Sequence, residues 1–94
     1  MPELSQPPSI RDLRVTHGLT WIADRLAGTR PADAMTVNAA RSAALRHSID
    51  TYSNDRIANH VLNDLIAALP PVRDDEDRAE YAARIHLELQ GVTA

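Results

Sequence analysis

Apolar residues recur along most of this chain at intervals of three and four positions, which is the spacing of one face of an α-helix. No stretch keeps up the apolar-polar alternation of a half-buried strand. Phenylalanine is absent and tyrosine occurs only twice, so residues that favour strands are scarce. The pattern predicts an all-α fold, which we interpret as a small four-helix bundle.

The first helix is predicted to begin after Ser9, which lies three positions before Asp12 as in a capping motif. It runs to about Ala27, directly before Gly28. Its inward face carries an apolar stripe formed by Val15, Leu19, Ile22 and Leu26. Gly18 can split this helix in two, because glycine within a helix costs about 1 kcal/mol relative to alanine.

The start of the second helix is open to two interpretations. Pro31 suits the first turn of a helix, with Thr29 or Arg30 just outside it. Thr36 is an equally good capping residue, and a helix beginning there is shorter. In both cases its alanines, among them Ala39, Ala40, Ala43 and Ala44, give the helix a slim surface that neighbouring helices can approach closely.

The third helix has the widest apolar face in the chain. Ser53 and Asn54 can cap it, its apolar positions run from Ile57 to Leu69, and Pro70 ends it because the residue before a proline avoids helical geometry. The alanine-rich helices have few large side chains to cover so broad a face. We therefore expect either the central helix of the bundle or a surface shared with a second subunit, and predict a homodimer.

Residues 74–77 are four consecutive acids that precede a fourth helix, where negative charge interacts favourably with the helix dipole. We interpret this acidic run as a capping and solubility device rather than as a site for an ion or a basic partner. The helix carries an inward stripe of Tyr81, Ala82, Ile85 and Leu89, and Gly91 can cap its end.

The chain of 94 residues is predicted to form one helical domain at residues 9–91. Residues 1–8 include three prolines, and we expect them to be a flexible N-terminal arm. Residues 92–94 are expected to be a C-terminal tail. A domain of this size buries only about 60–65% of the surface that its unfolded chain exposes, so we expect one copy to have modest stability.

The cellular location is predicted from features that the sequence lacks. Cysteine is absent, which excludes disulfides and thiolate metal sites. The first residues lack the basic and apolar segments of a signal peptide, and no apolar run approaches the roughly 18 residues of a membrane span. We therefore expect a cytoplasmic protein with no membrane partner. All ten basic residues are arginines, a bias typical of a GC-rich bacterial genome.

The net charge of −3 conceals an asymmetry between the two halves of the chain. Residues 11–46 carry six arginines and three aspartates, whereas residues 47–94 carry four arginines and nine acids. This distribution permits head-to-tail self-association or a polar partner. It is far from the dense basic stripe of most nucleic-acid-binding proteins.

Residues 20–47 invite comparison with a helix-turn-helix, because they contain two short predicted helices joined by a turn. The motif requires a glycine four positions after a small residue, but Gly28 comes five positions after Ala23. The position six beyond Gly28 is Ala34, and a second helix that starts at Thr36 makes the turn too long. A DNA-binding regulator is therefore the alternative function, and nucleic acid the alternative partner.

Catalytic and cofactor signatures are absent from the sequence. The four histidines, at positions 17, 47, 60 and 86, lie one on each predicted helix without the spacing of a metal motif. Three glycines form no phosphate-binding loop, and nothing in the spacing of the serines and histidines points to a site for nucleophilic catalysis. We expect no enzymatic activity, no cofactor and no metal site.

What remains is a small regulatory or adaptor protein that binds a protein partner through a helical surface. Trp21 adjoins the inward Ile22 and so lies at the edge of the first apolar stripe, where an aromatic residue often anchors a partner. The predicted partner-binding residues are Trp21, Arg25, Arg41, Arg46 and Tyr52.

Overall fold

The computed structural model describes residues 9–91. It contains four helices, which are α1 (Ile10–Gly28), α2 (Val37–Thr51), α3 (Asp55–Ala68) and α4 (Arg78–Leu89). Within this range no strand forms, and the prediction of an all-α four-helix fold is confirmed. No helix among these residues is both long enough and apolar enough to cross a bilayer. The predicted arm at 1–8 and tail at 92–94 lie outside the described residues.

The first helix begins as predicted, because the Ser9 hydroxyl oxygen accepts a hydrogen bond from the Asp12 amide at 3.0 Å. It continues through Gly18 without a break, so the prediction that Gly18 splits it is wrong. A Cβ atom at Gly18 would lie 2.6 Å from a methyl carbon of Leu65 and 3.2 Å from the His47 ring. Gly18 is therefore a point of close approach between α1 and both α3 and α2.

Side-chain caps define the starts of the other three helices. The hydroxyl oxygen of Thr36 accepts a hydrogen bond from a backbone amide in the first turn of α2 at 3.0 Å. The later of the two predicted starts is thus correct, and a start at Pro31 is wrong. Asn54 caps α3 through two backbone amides, and Asp77 caps α4 in a reciprocal capping box with Glu80.

The centre of the fold is α1, which packs against all three other helices. The second and third helices also pack against each other, whereas α4 contacts only α1 among the helices. Five residues of α1 are buried but only two of α3, namely Val61 and Leu65. The prediction of a central third helix is therefore wrong. Its alternative, a surface of α3 shared with a second subunit, stays a prediction.

The connection between α1 and α2 holds the start of α4 in place. The backbone amides of Arg78 and Ala79 donate hydrogen bonds to the carbonyl oxygens of Asp33 and Pro31, each at 3.0 Å. The first amides of a helix have no acceptor within the helix, and here a distant segment supplies one. As a result, the N-terminus of α4 lies beside the junction of α1 and α2.

An ion pair joins the acidic run to the middle of α4. The guanidinium group of Arg84 donates two hydrogen bonds to the Glu76 carboxylate, at 2.7 Å and 2.8 Å. Glu76 is only 7% exposed, and the hydrogen bond from Arg84 lowers the pKa of its carboxyl group. The interpretation of this run as a solubility device is therefore wrong for Glu76, whereas Asp77 caps the helix as predicted.

The two prolines after α3 are anchored to α4 by their carbonyl groups. Arg84 also donates to the carbonyl oxygen of Pro71 at 2.6 Å. The hydroxyl of Tyr81 donates to the carbonyl oxygen of Pro70 at 2.6 Å, and burial raises the pKa of this tyrosine to about 12. These contacts fix the path of the chain between α3 and α4.

Candidate functional site

A cavity of about 430 Å³ lies where the last turns of α1 face α2 and the first residue of α4. Seven of the ten residues that line it have polar side chains, and three of these are arginines. We call it the arginine cavity, and its polar lining consists of Arg25, Thr29, Thr36, Asn38, Ser42, Arg46 and Arg78. It is therefore a basic, hydrogen-bonding site rather than an apolar one.

The three arginines of this cavity are poorly neutralised by the protein itself. None of the carboxylates within the described part of the chain lines the cavity. Among residues 9–91, neither Arg25 nor Arg78 forms an ion pair. Arg46 lies 3.7 Å from the Asp50 carboxylate, but both side chains are more than half exposed and solvent screens the interaction. The arginines consequently concentrate positive charge at the cavity.

Arg78 is held at the wall of the cavity by the fold rather than by a carboxylate. One terminal nitrogen of its guanidinium group donates to the carbonyl oxygen of Thr29 at 3.2 Å. Its Nε atom is buried and has no acceptor among the described residues. The protein thus positions this guanidinium group without satisfying all of its donors.

Arg25 lines the arginine cavity and Trp21 lies next to it on the adjoining surface, and we call these two side chains the rim. The guanidinium carbon of Arg25 lies 5.4 Å from the centroid of the Trp21 ring, within the range of a cation–π interaction. A shallow depression of about 330 Å³ on the adjoining surface is lined by Trp21 and shares Arg25 and Thr29 with the cavity. The half-buried indole and the basic cavity therefore form one continuous surface.

Arg41 lies on a different side of α2 from Arg46. The two residues are five positions apart, which is a rotation of roughly 140° around a helix axis. Arg41 lines a small pocket of about 140 Å³ together with Val37 and Ile66. It therefore does not contribute to the arginine cavity.

Tyr52 lies just beyond the C-terminus of α2, away from the cavity. Its ring is edge-on to His47 at 6.3 Å, and the Arg14 guanidinium carbon lies 5.7 Å from its centroid. Of the five predicted partner-binding residues, Arg25 and Arg46 line the cavity and Trp21 lies beside it, whereas Arg41 and Tyr52 do not line it.

Arg78 is absent from the sequence-based prediction, although it completes the cavity. It is 49 positions from Thr29, whose carbonyl oxygen it contacts. No local sequence pattern identifies Arg78 as a binding residue. It lies in the first turn of α4, directly after the acidic cap, and the pattern there indicates only the start of a helix. Only the pairing of the α1–α2 connection with the start of α4 places it beside Arg25 and Arg46.

Behind Trp21 lies a fully buried histidine. The rings of His47 and Trp21 are 5.2 Å apart, and the His17 ring lies 5.5 Å from that of His47. Burial is the main cause of a lowered pKa for His47, and the neighbouring His17 adds to it. No three His, Cys, Asp or Glu side chains are grouped as a metal site within residues 9–91.

The α1–α2 unit lacks the geometry of a helix-turn-helix. Residues 29–36 connect the two helices, whereas the motif uses a turn of about three or four residues. Moreover, Arg41 and Arg46, the two arginines of α2, do not share one side of this helix. The specific motif behind the DNA-binding alternative is therefore not formed.

Compared with known proteins, the chain matches no protein-family model, no curated protein and no solved structure.

Proposed function

We propose that this chain is a cytoplasmic, non-enzymatic adaptor or regulatory module that binds a protein partner. The proposed binding surface consists of Trp21, Arg25, Arg46 and the arginine cavity, and we call it the α1–α2 surface. One observation carries the proposal, namely that a half-buried tryptophan lies beneath an arginine that is itself one of the three arginines lining the adjoining cavity. Tryptophan and arginine are the residue types that most often dominate protein interfaces.

The Trp21 side chain is already held in place in the free protein. Its indole packs beside the buried His47 ring and beneath the Arg25 guanidinium. A partner that contacts this indole has less side-chain freedom to remove than at an unsupported surface residue. Such preorganisation supports a binding role for the rim.

The charge of the α1–α2 surface favours an acidic partner segment. Three arginines line the cavity without a carboxylate among the lining residues. Opposite charge on the partner speeds encounter and penalises basic competitors. We therefore propose that the partner presents acidic groups to the cavity and an apolar group to Trp21.

We also propose that the protein is a homodimer. Exposed apolar side chains lie along α2, where Leu45 is 45% and Ile49 is 56% exposed. On α3, Leu62 and Ile66 remain only partly covered. A second copy can cover these side chains, which are distinct from the polar lining of the arginine cavity.

An affinity pull-down from host lysate tests the adaptor function. Tagged full-length protein, with and without nuclease treatment, serves as bait, and the captured proteins are quantified by mass spectrometry. We expect a nuclease-resistant protein that is retained by the wild type and lost from both Trp21→Ala and Arg46→Ala. Arg56→Ala is the matched control, because this arginine is exposed on α3 and lies outside the surface.

Circular dichroism of each variant establishes that its helices are intact. Equal capture by the wild type, Trp21→Ala and Arg46→Ala contradicts the proposal. Recovery of nucleic acid, or of proteins that nuclease removes, favours the DNA-binding alternative instead.

A further inference from the structure

We infer that the arginine cavity binds a phosphate monoester. Where the phosphate belongs to a partner protein, this inference rests on the proposed function. The ligand group is a tetrahedral dianion, held by Arg25, Arg46 and Arg78. The cavity is the only one of the described pockets whose lining combines three arginines with no acidic residue.

Charge balance is the first argument for an anionic ligand. Elsewhere in the described structure, two arginines have carboxylate partners, Arg11 with Asp64 at 2.9 Å and Arg84 with Glu76 at 2.7 Å. The cavity gathers three guanidinium groups without such a partner inside it. An anion placed among them reduces their mutual repulsion, so it binds more tightly there than at an isolated arginine.

The donors around the cavity suit a phosphate better than a carboxylate. A carboxylate has two oxygens and one negative charge, whereas a phosphate monoester has three terminal oxygens and close to two charges at neutral pH. Three guanidinium groups in one lining supply enough N–H donors for all three phosphate oxygens. The hydroxyl of Ser42 and the amide of Asn38 add neutral donors to the same lining.

The N-terminus of α2 opens onto the same cavity. Thr36, the cap of this helix, and Asn38, in its first turn, both line the cavity. The positive end of a helix dipole favours an anion, and its effect here adds to that of the arginine side chains.

The size of the cavity leaves room for the group that carries the phosphate. Its volume of about 430 Å³ falls in the range of small-ligand sites, which is roughly 300–1,000 Å³. The Trp21–Arg25 rim lies at its edge, where the group that carries the phosphate can pack. A phosphorylated side chain of a protein and a free phosphate compound share this chemistry.

Isothermal titration calorimetry with O-phosphoserine tests the site directly. The titration uses the full chain at about pH 7.5, where the phosphate is mostly a dianion. Serine is the unphosphorylated control, and sodium chloride holds the ionic strength constant. We expect O-phosphoserine to bind and serine not to bind. Because a hydrogen bond to a charged group contributes about 1.5–3 kcal/mol, Arg25→Gln and Arg46→Gln are each expected to weaken binding about tenfold or more.

Arg56→Gln is the matched control, since it removes the same charge from a surface outside the cavity. Equal affinity for O-phosphoserine in the wild type, Arg25→Gln and Arg46→Gln overturns the site. So does an equal loss of affinity in Arg56→Gln, because it shows attraction to overall charge. Both test arginines are exposed side chains, so these variants are expected to fold, which circular dichroism checks.

A pull-down from phosphatase-treated lysate distinguishes the two sources of the phosphate. Loss of the Trp21-dependent partner after phosphatase treatment assigns the group to a phosphorylated protein. Retention of that partner, together with O-phosphoserine binding, assigns the cavity to a free phosphate compound. Failure of the titration while the Trp21-dependent partner is still captured overturns the phosphate site but leaves the proposed function standing. Binding of O-phosphoserine without capture of a Trp21-dependent partner overturns the proposed function and leaves the phosphate site standing.

Discussion

His47 is the most unusual residue of this fold, because a titratable ring lies fully buried between helices. Its Nδ1 atom is 3.3 Å from the Thr51 hydroxyl, and its Nε2 atom has no hydrogen-bond partner among the described residues. His17 faces it from α1, and Asp50 lies on its own helix. Burial and His17 lower its pKa from the usual 6.5, while Asp50 acts weakly in the opposite direction.

This lowered pKa predicts that stability falls on mild acidification. Between the folded pKa and the unfolded value of 6.5, the unfolded chain binds a proton that the folded chain excludes. The free energy of unfolding is therefore greatest above about pH 6.5 and decreases as the pH falls below it. We expect thermal melts monitored by circular dichroism to show a lower Tm at about pH 5 than at about pH 7.

His47→Gln is expected to reduce this pH dependence, because the residue that titrates has been removed. His60→Gln serves as control, since His60 is exposed on α3. Glu76 affects stability mainly at lower pH. The lowered pKa of its carboxyl group keeps this group ionised at pH values below the usual pKa of 4.5. An unchanged slope between about pH 7 and pH 5 in His47→Gln contradicts the assignment to His47.

At the scale of single elements, α1 depends on a glycine in its interior. Gly18→Ala gains about 1 kcal/mol of helix propensity. However, the new methyl group meets two methyl carbons of the buried Leu65 at 2.6 Å and 2.9 Å. Overpacking of this kind typically costs about 1–3 kcal/mol. Because Leu65 is fully buried and has little room to move, we expect a net loss of stability in urea unfolding.

Gly28→Ala is the matched control in the same helix. A Cβ atom at Gly28 has no neighbouring atom within 4 Å, so this substitution retains the gain in helix propensity without the clash. We expect Gly28→Ala to be neutral or stabilising. A Gly18→Ala variant that is as stable as Gly28→Ala contradicts the close approach of α1 to α3.

The connection between α3 and α4 depends on the Glu76–Arg84 ion pair. Glu76→Ala leaves the Arg84 guanidinium with the Pro71 carbonyl as its remaining hydrogen-bond acceptor. Because both side chains are largely buried, at 6% and 17% exposure, we expect a loss of about 3 kcal/mol in the free energy of unfolding. Asp74→Ala removes an exposed acid from the same loop and is expected to have little effect. Urea unfolding of both variants measures the difference, and equal effects contradict it.

At the scale of the whole molecule, the incompletely covered apolar residues of α2 and α3 predict self-association. Leu45→Glu combined with Ile49→Glu places two charges on the proposed dimer surface. We expect the wild type to sediment as a dimer and the double variant as a monomer at high micromolar concentration in analytical ultracentrifugation. Leu87→Glu, at a 50% exposed position on α4, is the control. A monomeric wild type at that concentration overturns the homodimer.

Local interactions made much of the secondary structure predictable. Ser9 caps α1 and Asn54 caps α3 because each bonds amides two or three positions along the chain. Pro70 restricts the backbone of the residue before it, and Asp77 caps the first turn of α4, so both also act on residues close to them in the chain. The start of α2 stayed ambiguous because Pro31 and Thr36 are both good local signals, and the long-range use of the Pro31 carbonyl by α4 favours the second.

The candidate site was only partly predictable for the same reason. Trp21, Arg25 and Arg46 were identified as partner-binding residues, and the packing of α1 on α2 brings them together. Arg41 was grouped with them because helical position alone does not reveal which side of α2 remains free. The helical pattern also gave no indication that Glu76 is neutralised within the molecule, since Arg84 becomes its partner only when α4 folds.

By itself, the sequence determined the all-α class, the number of helices and most of their ends, because these depend on periodicity and on hydrogen bonds between residues close in the chain. Only the tertiary structure decided that α1 is central, that Gly18 is a contact rather than a break, and that Arg78 completes the arginine cavity. These features depend on distances between residues far apart in the chain. Such distances are set by packing, which the pattern along a single helix does not specify.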